Sequence, residues 1–236
     1  MKYLPLSVSK IGVFNQCQRR FYFQYVQKIK QKPSIHFEKG NFIHGLIESV
    51  LKSTKYKQDK PFAIMTKEEV SENLKIALDF CKGELFQKVL ALSKVYPFNV
   101  ESTLSLDLNY KPCDRWKGNP FLIGKIDFSM ELPDSFKIID WKTGKAPNEF
   151  FKKDEDQLDI YALDMMLKTG KPGRASFIFI EHNVVQKKDY QLSDIDKIKR
   201  TFEEYARMIS NETEFRTNES GLCKNCSYMD ICPSFN

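Results

Sequence analysis

Two aspartates and a lysine are the residues of this sequence best placed for chemistry. Asp127 ends the sequence GKID, Asp140 begins the sequence DWKTG, and Lys142 is the third residue of that second segment. Two carboxylates held close together repel each other unless a cation lies between them, and a hard divalent ion with oxygen ligands suits that position. Such an ion activates a bound water and stabilises charge on a phosphate, which a nearby lysine can also hold. These residues therefore indicate metal-dependent cleavage of phosphodiester bonds.

The segments that carry these residues are predicted to form a β-hairpin. Residues 121–131 and 136–141 are rich in Phe, Ile, Met and Leu, which is typical of strands. The sequence LPDS at 132–135 separates them and is a turn signal. An ordinary surface hairpin with scattered charges is the alternative, because a D-x-K triplet alone is a weak signal.

The position of the turn predicts how the two aspartates are placed. A turn centred between Pro133 and Asp134 puts Asp127 directly opposite Asp140, with their Cβ atoms about 4.5–5.5 Å apart. Side chains alternate between the two faces of a strand, so Lys142 is predicted to share a face with Asp140. A bulge, or a longer loop in place of a tight turn, would change this register.

Length and composition limit the classes of protein to which the chain can belong. Its 236 residues suffice for one large domain or two small ones, and 42% hydrophobic residues support a core. The chain has no apolar run of about eighteen residues and no signal-peptide pattern, so we expect a cytoplasmic protein without membrane contact. In that compartment the six cysteines are not expected to form disulfides. A net charge of +6 suits a polyanionic partner without identifying one.

Hydrophobic periodicity predicts a mixed α/β (α+β) fold in which helices enclose a cluster of strands. Helices are predicted over residues 7–26, 39–52, 67–94 with a break near Gly83, 154–168 and 193–209. The first is expected to begin at a cap on Ser7 or Ser9, and the last at a cap on Ser193. Besides the hairpin, strands are predicted over residues 100–110, 175–181 and 184–191, and loops over residues 53–65 and 112–119.

Four cysteines have the spacing of a metal or cluster site. Cys223, Cys226 and Cys232 form the pattern C-x2-C-x5-C, and Cys17 is the candidate fourth ligand. Four thiolates can hold zinc or an iron–sulfur cluster, and unligated thiols are the third alternative. The spacing is less typical of zinc, which favours two C-x2-C arms. A site that joins both chain ends would have a structural role.

Three further polar residues lie on predicted helices. His44 ends the pattern G-x3-H on the second helix, although a lone helical histidine is more often a packed or surface residue than a ligand. Gln157 and Tyr161 are four residues apart, so they face the same way and can reach a phosphate or the lysine. The alternative for both is a helix face that rests on the sheet.

Taken in order, these motifs resemble the RecB-like branch of the PD-(D/E)XK nucleases. The nearest group is that of the iron–sulfur exonucleases, which includes the CRISPR-associated RecB-like nucleases and the nuclease domain of AddB. The resemblance covers nearly the whole chain and rests on six motifs in order. They are Cys17 in an aromatic and basic helix, G-x3-H at 40–44, G-x-x-D at 124–127, D-x-K-T-G at 140–144, Q-x3-Y at 157–161 and C-x2-C-x5-C at 223–232. It implies a restriction-endonuclease-like core with a mixed central β-sheet flanked by helices, and termini joined by a metal-cluster subdomain.

The resemblance also implies the composition of the metal site. His44, Asp127 and Asp140 resemble ligands of Mg²⁺ or Mn²⁺, with the carbonyl of Trp141 as another ligand. Glu101 is a further candidate for this site.

The remaining roles follow from the same resemblance. Lys142 resembles the catalytic lysine, and Gln157 and Tyr161 resemble catalytic helpers near the substrate. Arg19 and Arg20 on the first helix are predicted to contact the DNA backbone. The implied ligands of a 4Fe–4S cluster are Cys17, Cys223, Cys226 and Cys232.

The activity implied is that of a metal-dependent exonuclease that acts on single-stranded DNA ends. Its setting would be recombination, repair, phage DNA processing or CRISPR adaptation, with a helicase, recombination or CRISPR integrase partner. The alternatives are a scaffold subunit with secondary nuclease activity and a non-catalytic iron–sulfur protein. We expect one nuclease domain over 1–236, with an iron–sulfur region at 1–30 plus 213–236, a catalytic sheet and helix at 100–191 and a helical insertion at 53–95.

Overall fold

A computed structural model of the chain describes residues 2–32, 34–57, 62–147 and 152–235, without the side chains of residues 152–154. The chain falls into two compact units, each built from separate stretches of sequence. The terminal unit comprises Met1–Lys32, Leu104–Gly124 and Asp196–Asn236, and the central unit comprises Pro33–Thr103 and Lys125–Ile195. Residues 58–61 of the connector predicted at 53–65 lie outside the described residues.

Five strands form a mixed sheet whose spatial order follows the sequence. They are β1 (Phe98–Leu106), β2 (Leu122–Glu131), β3 (Phe136–Lys142), β4 (Gly173–Phe179) and β5 (Val184–Tyr190). Strands β2 and β3 are antiparallel, β3 and β4 are parallel, and β4 and β5 are antiparallel. Helices flank this sheet, so the predicted mixed α/β fold with a mixed central sheet is confirmed.

The described residues include seven α-helices. They are α1 (Val8–Gln16), α2 (Gln18–Phe21), α3 (Ile35–Leu51), α4 (Lys67–Lys82), α5 (Glu84–Ser93), α6 (Lys152–Thr169) and α7 (Ile195–Asn211). None of these helices has the length and apolar character needed to cross a membrane. Helix α6 is the crossover between the parallel strands β3 and β4, and it packs against both.

The hairpin of β2 and β3 has the register that the turn position predicts. Phe128 pairs with Ile139, and antiparallel pairing continues from there to the loop at 132–135. Asp127 and Asp140 follow one position beyond this pair, on the two opposing strands. The hairpin therefore brings the two aspartates to neighbouring positions on adjacent strands.

A hydrophobic core in the central unit packs α3, α4 and α5 against the sheet. Phe80 and Phe86 lie on the two sides of the helix break at Gly83, and their rings contact Trp141 with centroid distances of 5.7 and 6.1 Å. Gly83 is extended, and a Cβ there would lie 3.1 Å from the Phe80 carbonyl, so the break predicted near Gly83 is confirmed. Burying a large apolar side chain contributes about 1.5–3 kcal/mol, and this packing fixes the strand next to Asp140.

The first helix of the terminal unit differs from its prediction. Ser7, one of the two predicted caps, caps α1, but the helix ends before Cys17 instead of continuing to residue 26. Cys17 is extended, with φ −163° and ψ 112°, and α2 and a π-helical turn over Tyr22–Val26 follow it. At the start of α2 the Arg19 N–H has no partner within the helix, and it donates to the Arg216 carbonyl at 3.0 Å.

The last helix also begins differently from its prediction. A 3₁₀ turn, Leu192–Asp194, precedes α7, and the carboxylate of Asp194 accepts a hydrogen bond from the Gln191 N–H at 2.8 Å. Ser193 lies inside this turn, so its prediction as the helix cap is wrong. The remaining predicted helices and strands occur with ends shifted by up to four residues.

Candidate active site

His44, Glu101 and Asp127 form a cluster of metal-binding groups in the central unit. One ligand atom of each lies within 4.8 Å of the other two, and His44 Nδ1 is 3.4 Å from Asp127 Oδ2. Helix α3 presents the histidine, and strands β1 and β2 present the two carboxylates. Two carboxylates and an imidazole suit Mg²⁺ or Mn²⁺, so these residues fit the divalent ion that the sequence predicts.

Glu101 reaches this cluster from an uncommon backbone conformation. It has a φ of 57° within β1, in the left-handed region. For a residue with a Cβ this conformation costs about 1–3 kcal/mol, and such residues concentrate at functional sites. The Glu101 carboxylate also forms an ion pair with Lys125. The structure thus brings this candidate from the sequence beside Asp127.

Asp127 is held in place by the neighbouring strand. Its side chain is buried, and Oδ2 accepts a hydrogen bond from the backbone N–H of Trp141 at 2.9 Å. The indole of Trp141 is 2% exposed and packs in the core, so this residue meets the site through its backbone. Its predicted role is that of a carbonyl ligand, and the contact that the structure describes is made by its N–H.

The acidic surroundings change the pKa of His44. Burial lowers the pKa of the imidazole, but the hydrogen bond to Asp127 and the negative charges of Asp127, Asp140 and Glu101 outweigh it and raise the pKa. These carboxylates therefore favour a positive charge at the imidazole.

Asp140 and Lys142 form an ion pair at the end of β3. Lys142 Nζ lies 2.6 Å from Asp140 Oδ2, and the aspartate side chain is buried. Burial raises the pKa of Asp140 to about 6, because the opposing effect of the Lys142 charge is smaller and the charge of Asp127 also raises it. The contact agrees with the prediction that Lys142 shares a face with Asp140.

Gln157 connects this ion pair to helix α6. Its Nε2 donates to Asp140 Oδ1 at 2.8 Å, and its Oε1 accepts from Lys142 Nζ at 2.8 Å. The same Nε2 donates to Tyr161 Oη at 2.9 Å, one helical turn further along. Burial and the nearby carboxylate charges raise the pKa of Tyr161 well above its usual range, so this phenol stays protonated. The structure therefore joins four predicted catalytic residues in one network.

Two residues of the site were not predicted. Lys125 forms an ion pair with Glu101. It lies two residues before Asp127 on the same strand, so strand alternation puts the two side chains on one face and is the signal that could have predicted this residue. Phe177 lies in β4 opposite Asp140, and its ring centre is 4.5 Å from Lys142 Nζ. Only the parallel pairing of β3 and β4 reveals this contact, and no local sequence pattern contains it.

The sequence also matches a family model, that of the PD-(D/E)XK nuclease superfamily, over residues 5–233. The chain belongs to this superfamily. The mixed sheet, with its acidic residues and lysine on adjacent strands, is consistent with a restriction-endonuclease-like core. No curated protein matches the chain.

Two solved structures are similar to this superfamily member. One is a protein of Eubacterium rectale described as a candidate exonuclease, with a TM-score of 0.56 and 16% sequence identity over 93% of this chain and 86% of that chain. At this identity the similarity shows the fold alone. The other, SSO0001, has a TM-score of 0.45 and 15% identity over 98% of this chain and 86% of that chain.

The terminal unit of this nuclease superfamily member gathers the four predicted cluster ligands around one cavity. Cys17 lies between α1 and α2, and the other three cysteines lie in or directly after the 3₁₀ turns Gly221–Asn225 and Met229–Ile231. The four that line the cavity are Cys17, Cys223, Cys226 and Cys232. The four cysteines thus share one cavity, and a cluster or zinc ion bound to them stays a prediction from the sequence.

Arg19 and Arg20, the predicted DNA contacts, line the same cavity. Arg19 donates from Nη2 to the Glu214 carbonyl at 3.4 Å, and Arg20 donates from Nη1 to Gln16 Oε1 at 2.7 Å. Both side chains therefore have partners within the terminal unit, and their contact with DNA stays a prediction.

Proposed function

We propose that this protein is a Mg²⁺- or Mn²⁺-dependent deoxyribonuclease that degrades single-stranded DNA from its ends. The observation that carries this proposal is that a cluster of candidate metal ligands lies near the ion pair of half-buried Lys142 with buried Asp140, in a chain of the PD-(D/E)XK superfamily. Preference for ends is supported by the sequence resemblance and by the description of the Eubacterium rectale relative as a candidate exonuclease.

His44, Asp127 and Asp140 would hold the divalent ion, with the Trp141 carbonyl as another ligand. Glu101 would join them, because its carboxylate lies within 4.8 Å of the ligand atoms of His44 and Asp127. When bound, that ion supplies Lewis acidity for activating water and offsetting charge on the phosphate. The Trp141 N–H keeps one oxygen of Asp127 in a fixed position, so the carboxylate does not have to reorganise. Hydrolysis breaks one P–O bond of the diester, and a water oxygen replaces the leaving oxygen, which departs as a hydroxyl.

Lys142 would place its positive charge where negative charge grows on the phosphate during attack. Asp140 and Gln157 each contact the ammonium group, which limits the positions that it can take. Tyr161 in turn accepts a hydrogen bond from the Gln157 amide. The network therefore orients a point charge that would otherwise move freely on a four-carbon stem.

A 4Fe–4S cluster is the second cofactor that we propose. The four cysteines around the cavity of the terminal unit would be its ligands, and zinc is the alternative occupant. The ligands come from both ends of the sequence, so a cluster would constrain the N-terminal helices and the C-terminal turns together.

Digestion of end-labelled DNA with Mn²⁺ tests the proposed activity. Single-stranded substrates with a free end, with a blocked end, and closed into a circle separate end-directed from internal cutting. We expect mononucleotides or short products from the free end only, and no cutting with EDTA. Cutting of the circle at the same rate would contradict the exonuclease proposal but not the nuclease proposal.

A further inference from the structure

A groove of about 880 Å³ in the central unit opens beside the metal-binding cluster. One wall is a single face of α3, which carries Phe37, Asn41, His44 and Glu48, and it continues to Lys52 directly after the helix. Their spacing of three or four residues puts them in line along the helix, and a rise of 1.5 Å per residue makes the line about 22 Å long. His44 lies in the middle of this line, so the groove extends in both directions from the candidate metal site.

The second wall is formed by residues 54–57 and 62–63, which follow α3 in the sequence and pack against it. Tyr56 in this segment lies against Gly45, where a Cβ would come within 2.7 Å of the Tyr56 ring. Phe42 of α3 contacts the rings of Tyr56 and Phe62, with centroid distances of 5.5 and 5.3 Å. Only a glycine at position 45 leaves room for this close approach, so the packing of Tyr56 against α3 depends on that residue.

Glu38 fixes the far end of the same wall. Its carboxylate accepts hydrogen bonds from the backbone N–H groups of Ala63, Ile64 and Met65 at 2.7, 3.1 and 3.0 Å. A carboxylate that satisfies three consecutive N–H groups holds a loop firmly. Residues 63–65 are thus held against the first turn of α3.

The groove offers cations and an aromatic ring to a ligand. Lys52 is paired with Glu48 at 2.6 Å, but Lys55 and Lys57 are exposed and form no ion pair with any residue that the structure describes. Phe37 is 69% exposed at one end of the α3 face. Free cations beside an uncovered aromatic ring match the phosphates and bases of a single nucleic-acid strand.

We propose that this groove binds the single strand next to the scissile phosphate, with Lys55 and Lys57 on its phosphates and Phe37 stacked on a base. This assignment rests on the proposed nuclease function. Bases in a duplex are already stacked and paired, so Phe37 makes the groove selective for single strands. The DNA contact is thereby assigned to α3 and the segment after it, in addition to the arginines predicted from sequence.

Fluorescence anisotropy with a labelled oligonucleotide and Mn²⁺ tests this groove, with Asp140→Ala in all proteins to prevent cutting. In the double variant Lys55→Ala/Lys57→Ala, we expect at least fivefold weaker binding of the single strand. The slope of log affinity against log salt should fall by about 1.4, because each phosphate contact on a single strand contributes about 0.7. Unchanged affinity and slope would overturn the assignment.

Phe37→Ala tests the stacking contact separately. It should weaken single-strand binding by roughly fivefold or more and leave binding of a blunt duplex nearly unchanged. Equal loss for both substrates, or no loss, would contradict stacking. Lys75→Ala and Leu78→Ala are matched controls, because both residues are exposed on α4 and neither lines the groove. Melting followed by circular dichroism checks that every variant is folded.

The two proposals can fail separately. If the protein without the Asp140→Ala change cuts DNA but the lysine variants bind normally, only the groove assignment is wrong. If it cuts no DNA while the lysine and Phe37 variants lose single-strand binding, the groove assignment stands and the nuclease proposal fails.

Discussion

Gln157 contacts both members of the ion pair formed by Asp140 and Lys142, with a hydrogen bond of 2.8 Å to each. Its amide is suited to this position because one end donates to the carboxylate and the other accepts from the ammonium group. We therefore propose that Gln157 positions Lys142 and does not itself react.

Gln157→Ala should lower kcat for single-stranded DNA by about 10–100-fold, the usual cost of removing a group that orients a catalytic residue. Tyr161→Phe is the matched variant, since it removes the hydroxyl that accepts from Gln157 at 2.9 Å and also bonds to Asp140, and leaves both contacts of Gln157 with the ion pair. We expect a smaller loss from it. Single-turnover rates at saturating DNA provide the measurement, and equal rates for Gln157→Ala and the unchanged protein would rule out the positioning role.

The relative positions of the two aspartates and Lys142 can be predicted from the sequence because all three lie in one short hairpin. The turn at 132–135 sets the register of the two strands, and strand alternation puts Lys142 on the same face as the aspartate two residues before it. The orientation of Glu101 was beyond prediction, since its φ of 57° interrupts a strand with no glycine or proline to signal it. Phe177 was also missed, because parallel pairing joins residues that are far apart in sequence.

Strands β3 and β4 must pack closely for the site to form, and a glycine makes this possible. Gly173 pairs with Phe136 at the start of β4, and a Cβ at this position would overlap the Phe136 ring. The lack of a side chain there lets the ring lie flat across the neighbouring strand. A larger residue would push the two strands apart at their first pair.

Gly173→Ala should therefore lower the free energy of unfolding by about 1–3 kcal/mol, the typical cost of overpacking a core. The control is Gly144→Ala, because a Cβ at Gly144 would meet no atom within 4 Å. Urea unfolding followed by circular dichroism measures both. A Gly173→Ala protein as stable as the control would show that the Phe136 ring can move aside at little cost.

Helix boundaries were predicted where a local signal exists. Gly83 separates α4 from α5, and glycine is a recognised breaker, so the break was expected. Cys17 separates α1 from α2 with no such signal around it. Beside this break the Arg19 N–H bonds to the Arg216 carbonyl, almost two hundred residues later, and helical periodicity does not contain such a contact.

At the scale of the whole molecule, the chain divides its proposed cofactors between its two units. The divalent-metal residues lie in the central unit, and the four cavity cysteines lie in the terminal unit. Metal-site and cluster-site variants should therefore have separable effects. A helicase or integrase partner stays a prediction from sequence.

Anaerobically purified protein should contain about four iron atoms per chain and absorb visible light. Cys226→Ser should lose the iron and lower the melting temperature, because the constraint on the two chain ends is removed. Cys113→Ser is the matched control, since Cys113 belongs to the same unit but does not line the cavity. A colourless protein with one zinc per chain would exclude the iron–sulfur cluster and favour the zinc alternative.

The most direct test of the central claim is the rate of Mn²⁺-dependent degradation of end-labelled single-stranded DNA, compared between the unchanged protein and Asp140→Ala. Removing Asp140 takes away the buried partner of Lys142, so we expect the rate to fall by at least about a hundredfold. Circular dichroism should show that the variant is still folded. Equal rates for the two proteins would contradict the assignment of this site as the nuclease centre.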